Sequence, residues 1–296
     1  MDKEIEAASD NLTQTVRLHS GAALKFSEIH SITRQSYTPI VFLTGDLDSG
    51  KTTLLGSIHD AFQFGPLSGY AFAGSETLMA FEERCFEARA RSGASCAHTP
   101  RTHLESGQEY FHLRLRKVGE KESLRHILLG DMSGEYYERA IQSASELAQF
   151  DILRHSDYMV LLLDGEKLMD DFARQKVRND ASQFVRRCRE GGLLGDKTAL
   201  QVLISKWDLV LDTKSAEANR IREFVASKFD SSALRRQVDV IPIAARPGPQ
   251  SHIEKLFGVK PLFSDWVEAT PAIFRSSLGD IKLPVANRVF NRIAIE

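Results

Sequence analysis

The chain has 296 residues, 42% hydrophobic and 26% charged, which suits one large folded domain with appendages rather than a disordered or fibrous protein. A formal net charge of -2 supplies no basic excess for phosphates, which argues against nucleic acid as the main partner. No apolar run is long enough to span a membrane, and the acidic start MDKEIEAASD is unlike a secretion signal. Cys85, Cys96 and Cys188 lack CxxC spacing and cannot all pair, which points to reduced thiols and a cytoplasmic location. The histidines show no metal-ligand spacing.

Residues 1–37 read as an N-terminal extension. Its apolar positions, among them Val16, Leu18, Leu24, Phe26, Ile29 and Ile32, either pack along the flank of the main domain or form a docking arm. The main domain is expected over residues 38–270. It opens on a short buried strand, Ile40-Val41-Phe42-Leu43, followed by a helix from Thr53 to Phe64. Gly65, Pro66 and Gly69 stop that helix, and an insertion of about residues 65–109 follows. Within it, three-to-four spacing predicts a helix over Ser75 to Arg91, then a loop from Gly93 to Ser106.

Alternation predicts strands over Tyr110 to Val118 and Leu124 to Gly130, joined by the hairpin-like VGEKES. A helix over Tyr136 to Arg154 and a buried strand over Asp157 to Gly165 come next. Asp170 to Gly191 reads as a helix, Thr198 to Ser205 as a strand, Ser215 to Phe229 as a helix and Val238 to Ala244 as the last strand. Pro261 suits the first turn of a closing helix bearing Leu262, Phe263, Trp266 and Val267. Residues 271–296 form a tail, either a packed strap or a partner-binding element. Strands alternating with helices predict a doubly wound α/β fold whose mostly parallel sheet carries one antiparallel edge strand.

The stretch between the first strand and its helix carries the chemistry. Gly45-Asp46-Leu47-Asp48-Ser49-Gly50-Lys51-Thr52 fits G-x-x-x-x-G-K-[ST], the phosphate-binding loop. Its glycines let successive N–H groups curl toward phosphate oxygens above a helix N-terminus. Lys51 reaches the β- and γ-phosphates in such a loop, and the Thr52 hydroxyl holds Mg²⁺, with Ser49 and Thr53 beside them. Asp131, at the end of an apolar strand, stands where a phosphate-loop protein places its Mg²⁺-organising carboxylate.

Ser205-Lys206-Trp207-Asp208 after a strand resembles the N/T-K-x-D motif of GTPases. Asp208 could accept two hydrogen bonds from guanine, while adenine presents an acceptor there. Lys206 would lay its stem over the base. VIPIAAR resembles the last GTPase motif, with Ala244 in place of its serine and the Ala245 N–H meeting the guanine carbonyl. Asp131-Met132-Ser133-Gly134 resembles D-x-x-G, in which the Gly134 N–H meets the γ-phosphate.

Four motifs in order make residues 38–270 similar to a TRAFAC-class GTPase. AGSETLMAFEER, the PRT loop and GDMSGE resemble bacterial double-GTPase proteins. The resemblance implies a cytoplasmic protein that hydrolyses GTP to GDP and phosphate as a Mg²⁺-dependent conformational switch, in bacterial signalling or conflict. It also implies a protein partner, a second GTPase or an effector. Ser205 stands where Asn or Thr usually braces the phosphate loop. Glu135 replaces the usual water-positioning Gln, which implies slow hydrolysis without a partner. The switch threonine is Thr99 or Thr102, with Thr102, nearer the next strand, favoured as a Mg²⁺ ligand. Arg101 beside it is either an internal arginine finger or a solvated arginine. GDLDSGKTT resembles the GHVDHGKTT loop of translation factors, which implies a potassium or sodium ion at Asp48; otherwise Asp48 faces water or a nearby cation. Two other readings stay open: a non-hydrolysing GTP-binding scaffold, favoured by Glu135, and a phosphate-loop ATPase or kinase, disfavoured by Lys206 and Asp208.

Overall fold

In the computed structural model the described residues are 20–93, 108–120, 123–147, 150–195, 197–213, 215–229 and 238–270. The strands are β1 (Ile40–Gly45), β2 (Tyr70–Gly74), β3 (Gln108–Lys117), β4 (Leu124–Met132), β5 (Tyr158–Asp164), β6 (Ala199–Ser205) and β7 (Asp239–Pro242). The helices are α1 (His30–Thr33), α2 (Lys51–Phe64), α3 (Leu78–Gly93), α4 (Gly134–Gln142) and α5 (Ala144–Leu147). They continue with α6 (Gly165–Met169), α7 (Ala173–Glu190), α8 (Trp207–Thr213), α9 (Ser215–Phe229) and α10 (Val259–Glu268).

The strands form one sheet in the order β2-β3-β4-β1-β5-β6-β7. From β4 to β7 all pairings are parallel; β3 runs antiparallel to β4, and β2 antiparallel to β3. Successive residues of β1 feed opposite faces, as strand geometry requires. Phe42 packs with Leu128, Met159 and Leu161 under α4, α7 and α9, whereas Val41 and Leu43 pack with α2, α3 and α10. Every residue of β1 is buried, which is why its sequence reads as an unbroken apolar run.

Three features depart from the sequence reading. The outermost strand, β2, lies where the glycines and proline predicted loop. The predicted helix over Tyr136 to Arg154 is broken at Ser143, whose backbone is extended (φ −131°, ψ 127°), into α4, α5 and a 3₁₀ turn over Asp151–His155. Short helices α6 and α8 follow β5 and β6 at once. In the N-terminal stretch, Leu24, Ile29 and Ile32 are buried, and Leu24 exchanges two backbone hydrogen bonds with Tyr110 of β3 (2.9 and 3.0 Å). Val16, Leu18 and the tail after residue 270 lie outside the described residues. The closing helix α10 buries Leu262, Phe263, Trp266 and Val267 as expected, and Trp266 Nε1 donates to Gln201 Oε1 of β6 at 2.8 Å.

Candidate functional site

The loop from β1 to α2 turns on two glycines with positive φ, Gly45 (142°) and Gly50 (95°), and on Asp48, a non-glycine residue at φ 60°. A Cβ on Gly45 would come within 2.4 Å of the Leu162 carbonyl oxygen and 2.9 Å of Ser49 Oγ, so only glycine fits. Lys51 Nζ curls over the loop and donates to the carbonyl oxygens of Gly45 (2.7 Å) and Asp46 (2.8 Å) and to Ser49 Oγ (3.3 Å). Ser49 is buried, Thr52 and Thr53 lie half-buried in the first turn of α2, and Asp48 is exposed.

Asp131, near the end of β4, pairs in register with Leu43 of β1 and with Glu109 of β3. Glu109 in turn forms an ion pair with the buried Arg84 of α3. Met132 and Ser133 lead into α4, where the Ser133 side chain accepts a hydrogen bond from Tyr136 N at 3.3 Å, an N-cap. Gly134 opens that helix directly against the β1–α2 loop: a Cβ there would sit 2.6 Å from the Leu47 nitrogen. Glu135 lies beside it, half-buried in the first turn of α4, where helix polarity favours a carboxylate.

β6 delivers the third group. Ser205 packs against Gly50, a Cβ on which would lie 3.4 Å from Ser205 Cβ, while the Ser205 hydroxyl donates to the Leu163 carbonyl of β5 at 3.1 Å. It therefore touches the loop by contact and is anchored to the neighbouring strand. Lys206 adopts φ 51° and sends Nζ to Asp164 Oδ2 (2.8 Å) and Glu166 Oε2 (3.0 Å). Burial alone would lower its pKa, but the two carboxylates raise it, and it stays protonated. Asp208 is only 6% exposed, and its Oδ2 accepts the Gly248 N–H at 2.9 Å. Trp207 N–H donates to the Ile243 carbonyl at 3.1 Å, which holds the motif against the end of β7. The Ala244 N–H bonds to the Phe257 carbonyl at 3.0 Å, and the Ala245 carbonyl accepts Leu256 N–H at 3.3 Å.

These groups gather at the carboxyl ends of β1, β4, β6 and β7. There β4 and β5 flank β1, so successive connections leave in opposite directions, the place where open α/β sheets bind ligands. The structure thus brings together Gly45 through Thr53, Asp131 through Glu135, Ser205 through Asp208, and Ala244 with Ala245. Thr99, Arg101 and Thr102 lie outside the described residues.

Asp46 and Lys167 belong to the same place and were missed. Lys167 of α6 donates to Asp46 Oδ2 at 2.7 Å and to the Leu47 carbonyl at 3.3 Å. Burial raises the Asp46 pKa, but the Lys167 hydrogen bond and charge outweigh it and hold the carboxyl below its ordinary value. The available signal was Asp-Gly-Glu-Lys directly after an apolar strand. A second unforeseen group joins α2 to α3: ligand atoms of His59, Asp60 and Cys85 lie within 4.8 Å of one another. Cys85 Sγ donates to the Gly56 carbonyl at 3.4 Å, Asp60 pairs with Arg246 at 3.1 Å, and the His59 ring stacks on Phe81.

The model of the Double-GTPase 2 family matches residues 39–267. The chain belongs to the Double-GTPase 2 family. As a Double-GTPase 2 chain it is a TRAFAC-class P-loop GTPase by family, with the doubly wound sheet that class implies. No curated protein matches it. Among solved structures it is similar to the signal recognition particle receptor SRb-GTP/SRX complex from Chaetomium thermophilum, at 16% identity over 78% of this chain and 97% of that one (TM-score 0.40). It is similar also to the S. cerevisiae Ski7 GTPase-like domain bound to GTP, at 14% identity over 83% of this chain and 54% of that one (TM-score 0.44). A third, the bacterial selenocysteine-specific elongation factor EF-Sec, aligns at 11% identity over 71% of this chain and 26% of that one (TM-score 0.36). The chain thus spans about half of the Ski7 domain structure and a quarter of the EF-Sec structure. No helix among the described residues is long and apolar enough to cross a membrane.

Proposed function

We propose that the chain binds GTP with Mg²⁺ and hydrolyses it to GDP and phosphate, as a switch in bacterial signalling or conflict. One observation carries the reading: a phosphate loop, the Asp131–Gly134 turn and the buried Asp208 share one end of the sheet, at the reversal of strand order.

The residues present fit the nucleotide and its metal. The positive φ of Gly45 and Gly50 gives the loop the curl that a phosphate-cradling backbone needs, and Lys51 can exchange the loop's own carbonyls for phosphate oxygens. The Thr52 hydroxyl and Asp131 supply the hard oxygen donors that suit Mg²⁺, with Thr102 as the switch ligand. When bound, Mg²⁺ neutralises charge on the β- and γ-phosphates. Gly134, which packs against Leu47 of the phosphate loop, would offer its N–H to the γ-phosphate. Asp208 reads the base with its remaining acceptor capacity, Lys206 flanks it, and Ala245 offers its N–H beside Ala244. Arg101 is a candidate finger, and Asp48 a candidate seat for potassium or sodium.

Glu135 favours a second reading, a GTP-bound scaffold that does not turn over, because its charge opposes that of the γ-phosphate. A cytoplasmic location and a protein partner, a second GTPase or an effector, complete the proposal. Purified protein assayed with Mg²⁺ should release phosphate from GTP and not from ATP, faster in Glu135→Gln than in wild type. GTP binding without phosphate release in either chain would establish the scaffold instead. Equal turnover of ATP would end the guanine reading.

A further inference from the structure

α6 contacts both the phosphate loop and the base motif. Asp164 Oδ1 accepts the Glu166 N–H at 3.0 Å and caps it. Its first residue, Gly165, lies on the base motif so closely that a Cβ would stand 2.3 Å from the Ser205 carbonyl oxygen. Its next two residues carry opposite charges and reach opposite ways. Glu166 holds Lys206, whereas Lys167 holds the Asp46 carboxylate and the Leu47 carbonyl.

Asp46 is the problem that this arrangement solves. It is a carboxylate within a loop whose ligand carries several negative charges. Left bare, it would repel that ligand in a partly dehydrated site, where charges are weakly screened. The Asp46–Lys167 pair is partly exposed (side chains 26% and 37%), so it contributes little to folding. Its effect should therefore appear in binding.

We propose that Lys167 is a positioning residue for the polyphosphate: it neutralises Asp46 and, through α6, ties the phosphate loop to the base motif. This rests on the reading of the site as a GTP site. The triphosphate, bearing more charge than the diphosphate, depends on the pair more strongly. Asn in place of Asp46 keeps an oxygen for the Leu47 N–H, which Asp46 Oδ1 now accepts at 2.7 Å, and carries no charge.

The test is equilibrium binding of N-methylanthraniloyl GTP and GDP to wild type, Lys167→Ala, Lys167→Arg and Lys167→Ala/Asp46→Asn, with melting of each nucleotide-free chain. Lys167→Ala should weaken GTP about tenfold and GDP less, with an unchanged melting temperature. Lys167→Arg and the double variant should both return to within about threefold of wild type. Wild-type binding with an equally tight Lys167→Ala, or a double variant no better than the single one, would overturn this inference alone. A wild-type chain that binds neither nucleotide would overturn the GTP reading and this inference with it.

Discussion

Asp208→Asn separates base recognition from folding, because the structure shows what the carboxylate already does. One oxygen accepts the Gly248 N–H at 2.9 Å in a site only 6% exposed. An asparagine oxygen can keep that bond, so unfolding free energy should move by less than about 1 kcal/mol, chiefly from the lost charge at the start of α8. The base is different. In the proposed site guanine would present two donors to the carboxylate, and hydrogen bonds to charged groups contribute about 1.5–3 kcal/mol each. The amide can satisfy one and sets its own donor against the other, a loss of about 3 kcal/mol, or roughly a hundredfold in Kd. Xanthine, with an acceptor in place of the exocyclic amine, should gain. Competition of GTP and XTP for a fluorescent guanine nucleotide measures both, and urea unfolding measures the control. A variant that folds normally and binds GTP as tightly as wild type would refute the assignment.

Gly45→Ala should destabilise the nucleotide-free chain by on the order of 3 kcal/mol, since it combines φ 142° with a contact of 2.4 Å to a backbone oxygen; a shift in the urea midpoint reads it. His126 should make stability fall in mild acid. The Glu76 N–H donates to His112 Nδ1 (3.2 Å), so neutral His112 offers its Nε2 proton to His126 Nδ1 (3.0 Å). Burial and then Arg114 lower the His126 pKa, with Glu76 opposing, so its contribution is complete above the ordinary 6.5 and is lost as pH falls toward the depressed value. Denaturant midpoints compared at about pH 7.5 and about pH 5.5 should drop in wild type and drop less in His126→Gln. Trp266→Phe should cost about 1–3 kcal/mol by leaving the Gln201 oxygen without its indole donor, and Trp266→Phe/Gln201→Leu should recover part of that in thermal unfolding.

Most of the sheet and the order of the site motifs were legible because buried parallel strands announce themselves as apolar runs and each motif follows one. β2 was not, for a physical reason. It is a five-residue edge strand in which only Tyr70 is buried, so it shows neither an apolar run nor clean alternation, and its Gly-rich approach reads as loop. The break at Ser143 was hidden because the apolar spacing of α4 continues into α5 across a single extended residue. Lys167 escaped notice because its partner Asp46 is 121 residues away, and only the adjacency of β1 and β5 makes the pair.

Among the described residues, four non-glycines hold positive φ: Asp48, Ser68, Lys206 and Leu256. Asp48 and Lys206 sit in the two loops assigned to the nucleotide, and Leu256 bonds to Ala245 beside them. Left-handed backbone costs a side-chain-bearing residue on the order of 1 kcal/mol, which glycine avoids. A thermostability screen of the nucleotide-free protein would therefore favour glycine at the exposed Asp48, whereas at Lys206 the bonds to the buried Asp164 and to Glu166 outweigh that gain. On the proposed reading, in which Asp48 seats a potassium or sodium ion beside the phosphates, chains selected that way would bind nucleotide less well.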